Sequence, residues 1–262
     1  VTDTLILFGG GLAAGLFGGL LGLGGGIVLM PLLRFGLGLP AAQAAGTCVL
    51  AVLFTTLGGS YRHYRLGHVQ LRPIVPVIVA GAAAAVGSSL AFARLAAHGR
   101  WLDLGIGLVF ALIAVRMLAE ARPPVRSRGP ETAAGAGIRG PLAAKLGIGA
   151  TAGVLPGLLG IGTGGILVPA FTFLLEAPIR AAIGASLVCF CLNALISAAF
   201  KLGQGYIDLG LALPACAGTL VGANLGALLN GRCTSAALKL AFGLVFAYVS
   251  LKFILAGLEV TL

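Results

Sequence analysis

Two stretches have the composition and spacing to do chemistry: GLLGLGGGIVLMPLL, from Gly19 to Leu33, and GLLGIGTGGILVPAF, from Gly157 to Phe171. Each sets a glycine cluster inside a hydrophobic run and follows it with a proline. Glycine weakens a helix interior by roughly 1 kcal/mol relative to alanine, so a cluster of them breaks the helix that carries it. Such a break leaves amide N–H groups at the start of the following half-helix. That end carries about half a positive charge and binds oxyanions without needing Arg or Lys. The candidate substrate-binding residues are therefore Gly24, Gly25 and Gly26 in the first copy and Gly162, Thr163, Gly164 and Gly165 in the second. A small tetrahedral or planar anion is the natural ligand. Glycines also let helices pack closely, which is the reading for Gly149, Gly153 and Gly157, spaced four apart. Repetition of the whole pattern, trailing proline included, favours a site over packing alone.

The surrounding chain says where such breaks must sit. It is 59% apolar and 9% charged, with a mean hydropathy of +1.09, whereas soluble domains carry about 25% charge. Residues 4–33, 35–61, 73–93, 146–175, 181–200 and 209–231 contain no Asp, Glu, Lys or Arg, and a spanning helix needs about 20 apolar residues. These features predict an all-α, polytopic membrane helical bundle and argue against a β-barrel. The first hydrophobic run has an internal copy, so it is expected to belong to the fold and not to act as a signal peptide. The net charge of +10 lies mostly between spans, as the positive-inside effect requires. No nucleic-acid partner is expected; the lipid bilayer is the medium.

The chain reads as one unit written twice. At an offset of 138 residues Gly19, Gly22, Gly24, Gly26 and Pro31 fall on Gly157, Gly160, Gly162, Gly164 and Pro169, and Gly46, Gly67 and Pro76 on Gly184, Gly205 and Pro214. This gives a first repeat over 1–120, a polar linker rich in Pro and Gly over 121–141, and a second repeat over 142–262. Each half holds a glycine-broken segment and three plain spans. A straight helix of 30 residues would be about 45 Å long against a hydrocarbon core of about 30 Å, which favours a re-entrant hairpin. Three crossings per half then make the halves inverted repeats, with the linker cytoplasmic and both termini outside. The basic loop YRHYRLGHVQLR and its copy FKLGQGYIDL differ in charge, as loops on opposite sides should.

Other polar positions are weighed against simpler roles. Asn193 and its counterpart Thr55 lie inside spans, where they either tie helices together or contact substrate. Tyr61, His63, Lys201 and Gln204 stand at span ends and are candidates for gating, although interfacial anchoring suits Tyr61 and Lys201 better. Asp103 and Asp208 read as interfacial anchors. Cys48, Cys189, Cys191, Cys216 and Cys233 form no CxxC pair and read as small packing residues, not disulfides or metal ligands. With no HExxH, GxSxG, Walker lysine or clustered acidic pair, no catalytic residue, metal or cofactor is expected. No carboxylate sits at mid-span to serve as a proton relay.

At the paired glycine–proline motifs the chain resembles the TauE/SafE family of membrane anion exporters, and the similarity covers nearly its whole length. The resemblance implies a secondary transporter in the bacterial inner membrane that exports sulfite or an organosulfonate such as sulfoacetate. Thr163 departs from the pattern of the first copy, where Gly25 stands, and either adds a hydroxyl donor or fills space. A channel, a carrier of another small organic anion, a membrane-embedded enzyme and a scaffold subunit are the competing classes. No residue pattern fixes the oligomeric state; a homodimer suits a transporter of this size.

Overall fold

Glycine and proline set most of the boundaries in the fold. The structure, a computed structural model, describes residues 2–21, 24–67, 69–121, 138, 140–162, 164–229 and 235–258. Thr163, Cys233 and most of the expected linker lie outside the described residues. In chain order the helices are α1 (Thr2–Leu21), α2 (Gly26–Pro31), α3 (Ala41–Arg65), α4 (Leu71–Ala96), α5 (Gly99–Ala121), α6 (Leu142–Leu159), α7 (Gly164–Pro169), α8 (Ile179–Gly203), α9 (Leu209–Leu229) and α10 (Ser235–Gly257). All regular structure among the described residues is helical. Among the described residues six helices are long and apolar enough to cross a bilayer: α3, α4, α5, α6, α8 and α9. The expected crossings were α3–α5 and α8–α10. The apolar part of α10 described here, Gly243–Gly257, is shorter, while α6 has the length to span.

Both glycine clusters break the helix and turn the chain back. Gly24 and Gly25 take φ of 81° and 68°, and Gly160 takes 68°, a left-handed conformation that costs other L-residues roughly 1–2 kcal/mol. Past the first bend, Gly25 lies against Ala14 and Gly18 of α1, and Leu32 lies against Gly10. Gly140, just before α6, meets Leu174 and Leu175, which follow α7. Each broken segment is thus a hairpin with a long first limb, about 27 Å for the 18 residues of α6, and a shorter return.

The prolines shape that return. Pro31 and Pro169 end α2 and α7 and have no N–H to give to the carbonyl four residues back. The helix responds by widening into π turns over Leu32–Gly36 and Ala170–Leu174. Leu37 N donates to Leu32 O at 3.0 Å, five residues back. Pro40 and Pro178 then start α3 and α8 in matching extended conformations.

The packing repeats with the sequence. α1 lies along α9, where Gly11 meets Ala215 and Gly15 meets Thr219 and Ala223. α6 lies along α4, where Gly149 meets Val77 and Gly153 meets Gly81 and Ala85. These are the same contacts transposed by the repeat, and both pairs run parallel. A Cβ at any of these glycines would strike the partner's backbone, so small residues fix the approach. The two pairs of equivalent helices run antiparallel to each other. α5 meets α10 with Gly107 beside Ile254 and Gly243 beside Leu118, and Ser250 Oγ donates to Gly107 O at 2.8 Å. α3 crosses α8 at the centre, with Gly59 beside Leu187 and Gly46 against Tyr206.

Candidate functional site

The two bends meet where α3 and α8 cross. A Cβ on Gly26 would stand 3.2 Å from Gly162 N, 3.2 Å from Cys48 Sγ and 2.5 Å from Val52 Cγ2. One on Gly24 would stand 2.8 Å from the Phe190 ring. The start of α2 therefore touches the backbone of the second bend, under Cys48 and Val52 of α3 and Phe190 of α8. All three side chains are buried. Gly164 and Gly165 open α7 immediately beyond. Thr163, the remaining candidate in this cluster, lies outside the described residues.

The bend folds its own carbonyls over the start of α2. Gly26 N donates to Gly24 O at 2.8 Å, and Val28 N and Leu29 N donate to Gly25 O at 3.1 and 3.2 Å. Cys48 Sγ in turn donates to Gly26 O at 3.3 Å. The sequence reading expected the break to free these amides. Two successive left-handed residues instead curl the chain tightly enough to satisfy those of Gly26 and Val28, while Leu29 N makes the first ordinary helical bond, so any ligand of these two amides would have to displace a backbone carbonyl.

Among the described residues, Thr55 and Asn193 make no hydrogen bond to the junction. Thr55 Oγ1 returns to Ala51 O of its own helix at 3.0 Å, a carbonyl that also accepts Thr219 Oγ1 from α9. Asn193, 1% exposed, faces α4 and α6, where a Cβ on Gly81 would come within 2.9 Å of both ends of its amide. Neither end of that amide has a hydrogen-bond partner.

Lys201 is the largest departure from the sequence reading. Expected as an interfacial anchor, it is 0% exposed. Its Nζ donates to Pro156 O at 3.1 Å, to Gly157 O at 2.5 Å and to Ser197 Oγ at 3.0 Å, and it stands 4.0 Å from the centroid of the Phe92 ring. Ser197 Oγ donates to Pro156 O at 2.7 Å. The ammonium therefore caps the last carbonyls of α6, the limb that leads into the second bend, and so complements the negative end of that helix. Gln204 is half-buried one turn further on, and its Nε2 donates to Ser89 O of α4 at 3.0 Å. Tyr61, by contrast, is 64% exposed and His63 half-buried. The signal for Lys201 was present in the sequence: Asn193, Ser197 and Lys201 are spaced four apart, on one face of a helix.

Asp103 is a second correction. It is buried, not interfacial, because Arg34 reaches it from the π turn after α2: Nε donates to Oδ1 at 3.0 Å and Nη2 to Oδ2 at 2.7 Å. Arg34 Nη1 also donates to Leu39 O at 3.2 Å. This two-pronged pair ties the return limb of the first hairpin to α5. Asp208 stays exposed and caps α9 through Gly210 N at 2.8 Å.

Broken hairpins that touch at the centre of a bundle of membrane-length helices are the build of a multi-pass membrane transporter. Comparison with known proteins bears on the particular kind. Residues 7–253 match the family described as Sulfite exporter TauE/SafE. The chain belongs to that family. "Probable membrane transporter protein YunE" of Bacillus subtilis (strain 168) is 26% identical over 95% of this chain and 96% of its own length. A second B. subtilis protein, "Probable membrane transporter protein YdhB", is 28% identical over 90% of this chain and 94% of its own. A "Probable membrane transporter protein" of Xylella fastidiosa (strain Temecula1 / ATCC 700964) is 29% identical over 96% and 95%. No solved structure gives a significant match.

Proposed function

We propose that the protein is a secondary transporter that exports a small sulfur oxyanion, sulfite or an organosulfonate such as sulfoacetate, by alternating access. The anion is held where the two glycine bends meet. The carrying observation is the contact of Gly26 with Gly162: the backbones of two duplicated breaks come together at one point between the halves. Gly24, Gly25 and Gly26 with Gly162, Thr163, Gly164 and Gly165 supply the amide donors. Opening of the bend releases the amides now turned onto Gly24 O and Gly25 O, which couples anion binding to a change of shape.

On this reading the hairpins are re-entrant, and the halves, 1–120 and 142–262, are inverted in the membrane about a cytoplasmic linker. The antiparallel courses of α3 with α8 and of α5 with α10 support that arrangement. Equivalent helices run in opposite directions when the axis relating the halves lies in the membrane plane. The positive charge comes from backbone dipoles, so selection rests on the size and shape of the anion more than on a side-chain code.

The test is a thermal-shift titration of the purified protein with sulfite, sulfoacetate, sulfate and acetate. Stabilisation follows affinity for the folded state, about 2.7 kcal/mol at a hundredfold excess over Kd. Concentration-dependent stabilisation by sulfite or sulfoacetate is expected. Well-folded protein that responds to none of the four anions would end the proposal.

A further inference from the structure

Below the glycine junction, one face of α8 carries a line of polar side chains, some of whose atoms find no partner in the packing. Phe190, Asn193, Ser197, Lys201 and Gln204 follow one another at helical spacing, and the last four lie against α4 and α6. The stripe starts at Phe190, which touches Gly24, and runs to the C-terminal end of α8. Within it Asn193 Nδ2 and Oδ1 and Gln204 Oε1 lack hydrogen-bond partners among the described residues, as does Ser89 Oγ on the facing α4. Asn193 is 1% and Ser89 0% exposed.

A buried polar group without a partner costs roughly 1–3 kcal/mol, so several along one line need a reason. Lys201 adds a charge to the same line. No carboxylate among the described residues stands within ion-pair distance of it. The carbonyl end of α6 offsets only about half of its unit charge. A cation retained inside a membrane bundle marks an ion path.

We propose that this face of α8 lines the route by which the anion passes between the glycine junction and the membrane surface at the end of α8, with Lys201 as its fixed positive charge. The proposal rests on the anion-transport reading above. Asn193 Nδ2 meets the anion as it leaves the junction. Lys201 Nζ then exchanges the Pro156 and Gly157 carbonyls for anion oxygens, with the Ser89 hydroxyl as neighbouring donor. The free acceptors, Asn193 Oδ1 and Gln204 Oε1, suit an oxyanion that still carries one proton, such as hydrogen sulfite. Release of the α6 carbonyls frees the limb that holds the second bend, so passage at Lys201 and movement of that hairpin are linked.

The experiment measures uptake of radiolabelled sulfite into proteoliposomes holding the full chain, for wild type, Asn193→Leu, Lys201→Met and Ser250→Ala. Asn193→Leu is the deciding variant, because a similar-sized apolar side chain relieves an unpaired amide and leaves the melting temperature equal or higher. Flux through it is expected to fall at least fivefold, and likewise through Lys201→Met where that variant folds. Ser250→Ala removes a buried hydroxyl away from the stripe and keeps flux within twofold of wild type. Flux through folded Asn193→Leu that falls by less than fivefold overturns the route. Wild-type vesicles that take up no sulfite overturn the transport reading itself, a different failure from a normal wild type with a normal Asn193→Leu.

Discussion

α3 and α8 are the same helix twice, yet one stripe differs between them at all five of its positions. Where α8 presents Phe190, Asn193, Ser197, Lys201 and Gln204, α3 presents Val52, Thr55, Gly59, His63 and Leu66. The polar device of the first half lies elsewhere, in the Arg34–Asp103 pair. Its sequence counterpart at position 34 is Thr172, whose hydroxyl turns back to Val168 O of its own segment at 2.9 Å. Duplication has kept what the backbone needs: glycines at the bends, prolines that end the short helices, and small-residue faces where a Cβ would strike another main chain. It has not kept the charges. On the proposed alternating-access reading, the symmetric frame lets the protein move and the asymmetric lining tells the two sides apart.

The sharpest test of the symmetric part is a matched pair. Gly15 meets Thr219 O and Ala223 N of α9, and Gly153 meets Gly81 O and Ala85 N of α4. Gly15→Val and Gly153→Val should each cost about 3 kcal/mol, the upper end of overpacking, because helix backbones must separate to admit the side chain. Reversible unfolding in mixed micelles would read both. Losses that agree within about 1 kcal/mol fit one frame used twice; a Gly153→Val variant as stable as wild type breaks the comparison.

The asymmetric part predicts a smaller, one-sided effect. Asp103→Asn removes a carboxylate that is 3% exposed from an Arg34 side chain that is 25% exposed. Breaking a fully buried pair costs about 3–5 kcal/mol, and the partial exposure of Arg34 lowers the expectation to about 2 kcal/mol. The double variant Arg34→Thr, Asp103→Leu removes both charges together and should return to within about 1 kcal/mol of wild type, since no charge is then left alone. A double variant no better than Asp103→Asn would show that the pair does more than balance its own charges.

The sequence read the duplicated frame well and the charges poorly, for one physical reason. Gly24, Gly25, Gly160, Pro31 and Pro169 act through their own backbone, so their types announce their conformation. Gly149 and Gly153 are legible because spacing places them on one face whatever lies opposite. Lys201 and Asp103 depend on partners far along the chain: Pro156 lies 45 positions from Lys201, and Arg34 lies 69 from Asp103. A charge at a span end looks the same from sequence whether it faces headgroups or the end of another helix. Thr55 and Asn193 show the same limit, since equivalence in the repeat did not give them equivalent partners.

The smallest prediction uses the counterpart of Arg34. Thr172 belongs to the π turn after α7, and its hydroxyl donates to Val168 O, one turn back in α7. Such a bond competes with the helix ladder and stabilises little. Thr172→Val keeps the shape and removes the hydroxyl, so it should shift stability by no more than about 0.5 kcal/mol, against the larger loss expected at Asp103. The same unfolding measurement reads both variants. If Thr172→Val proves as costly as Asp103→Asn, the second hairpin has a polar anchor of its own at this position, and the assignment of that task to Lys201 at the end of α6 fails.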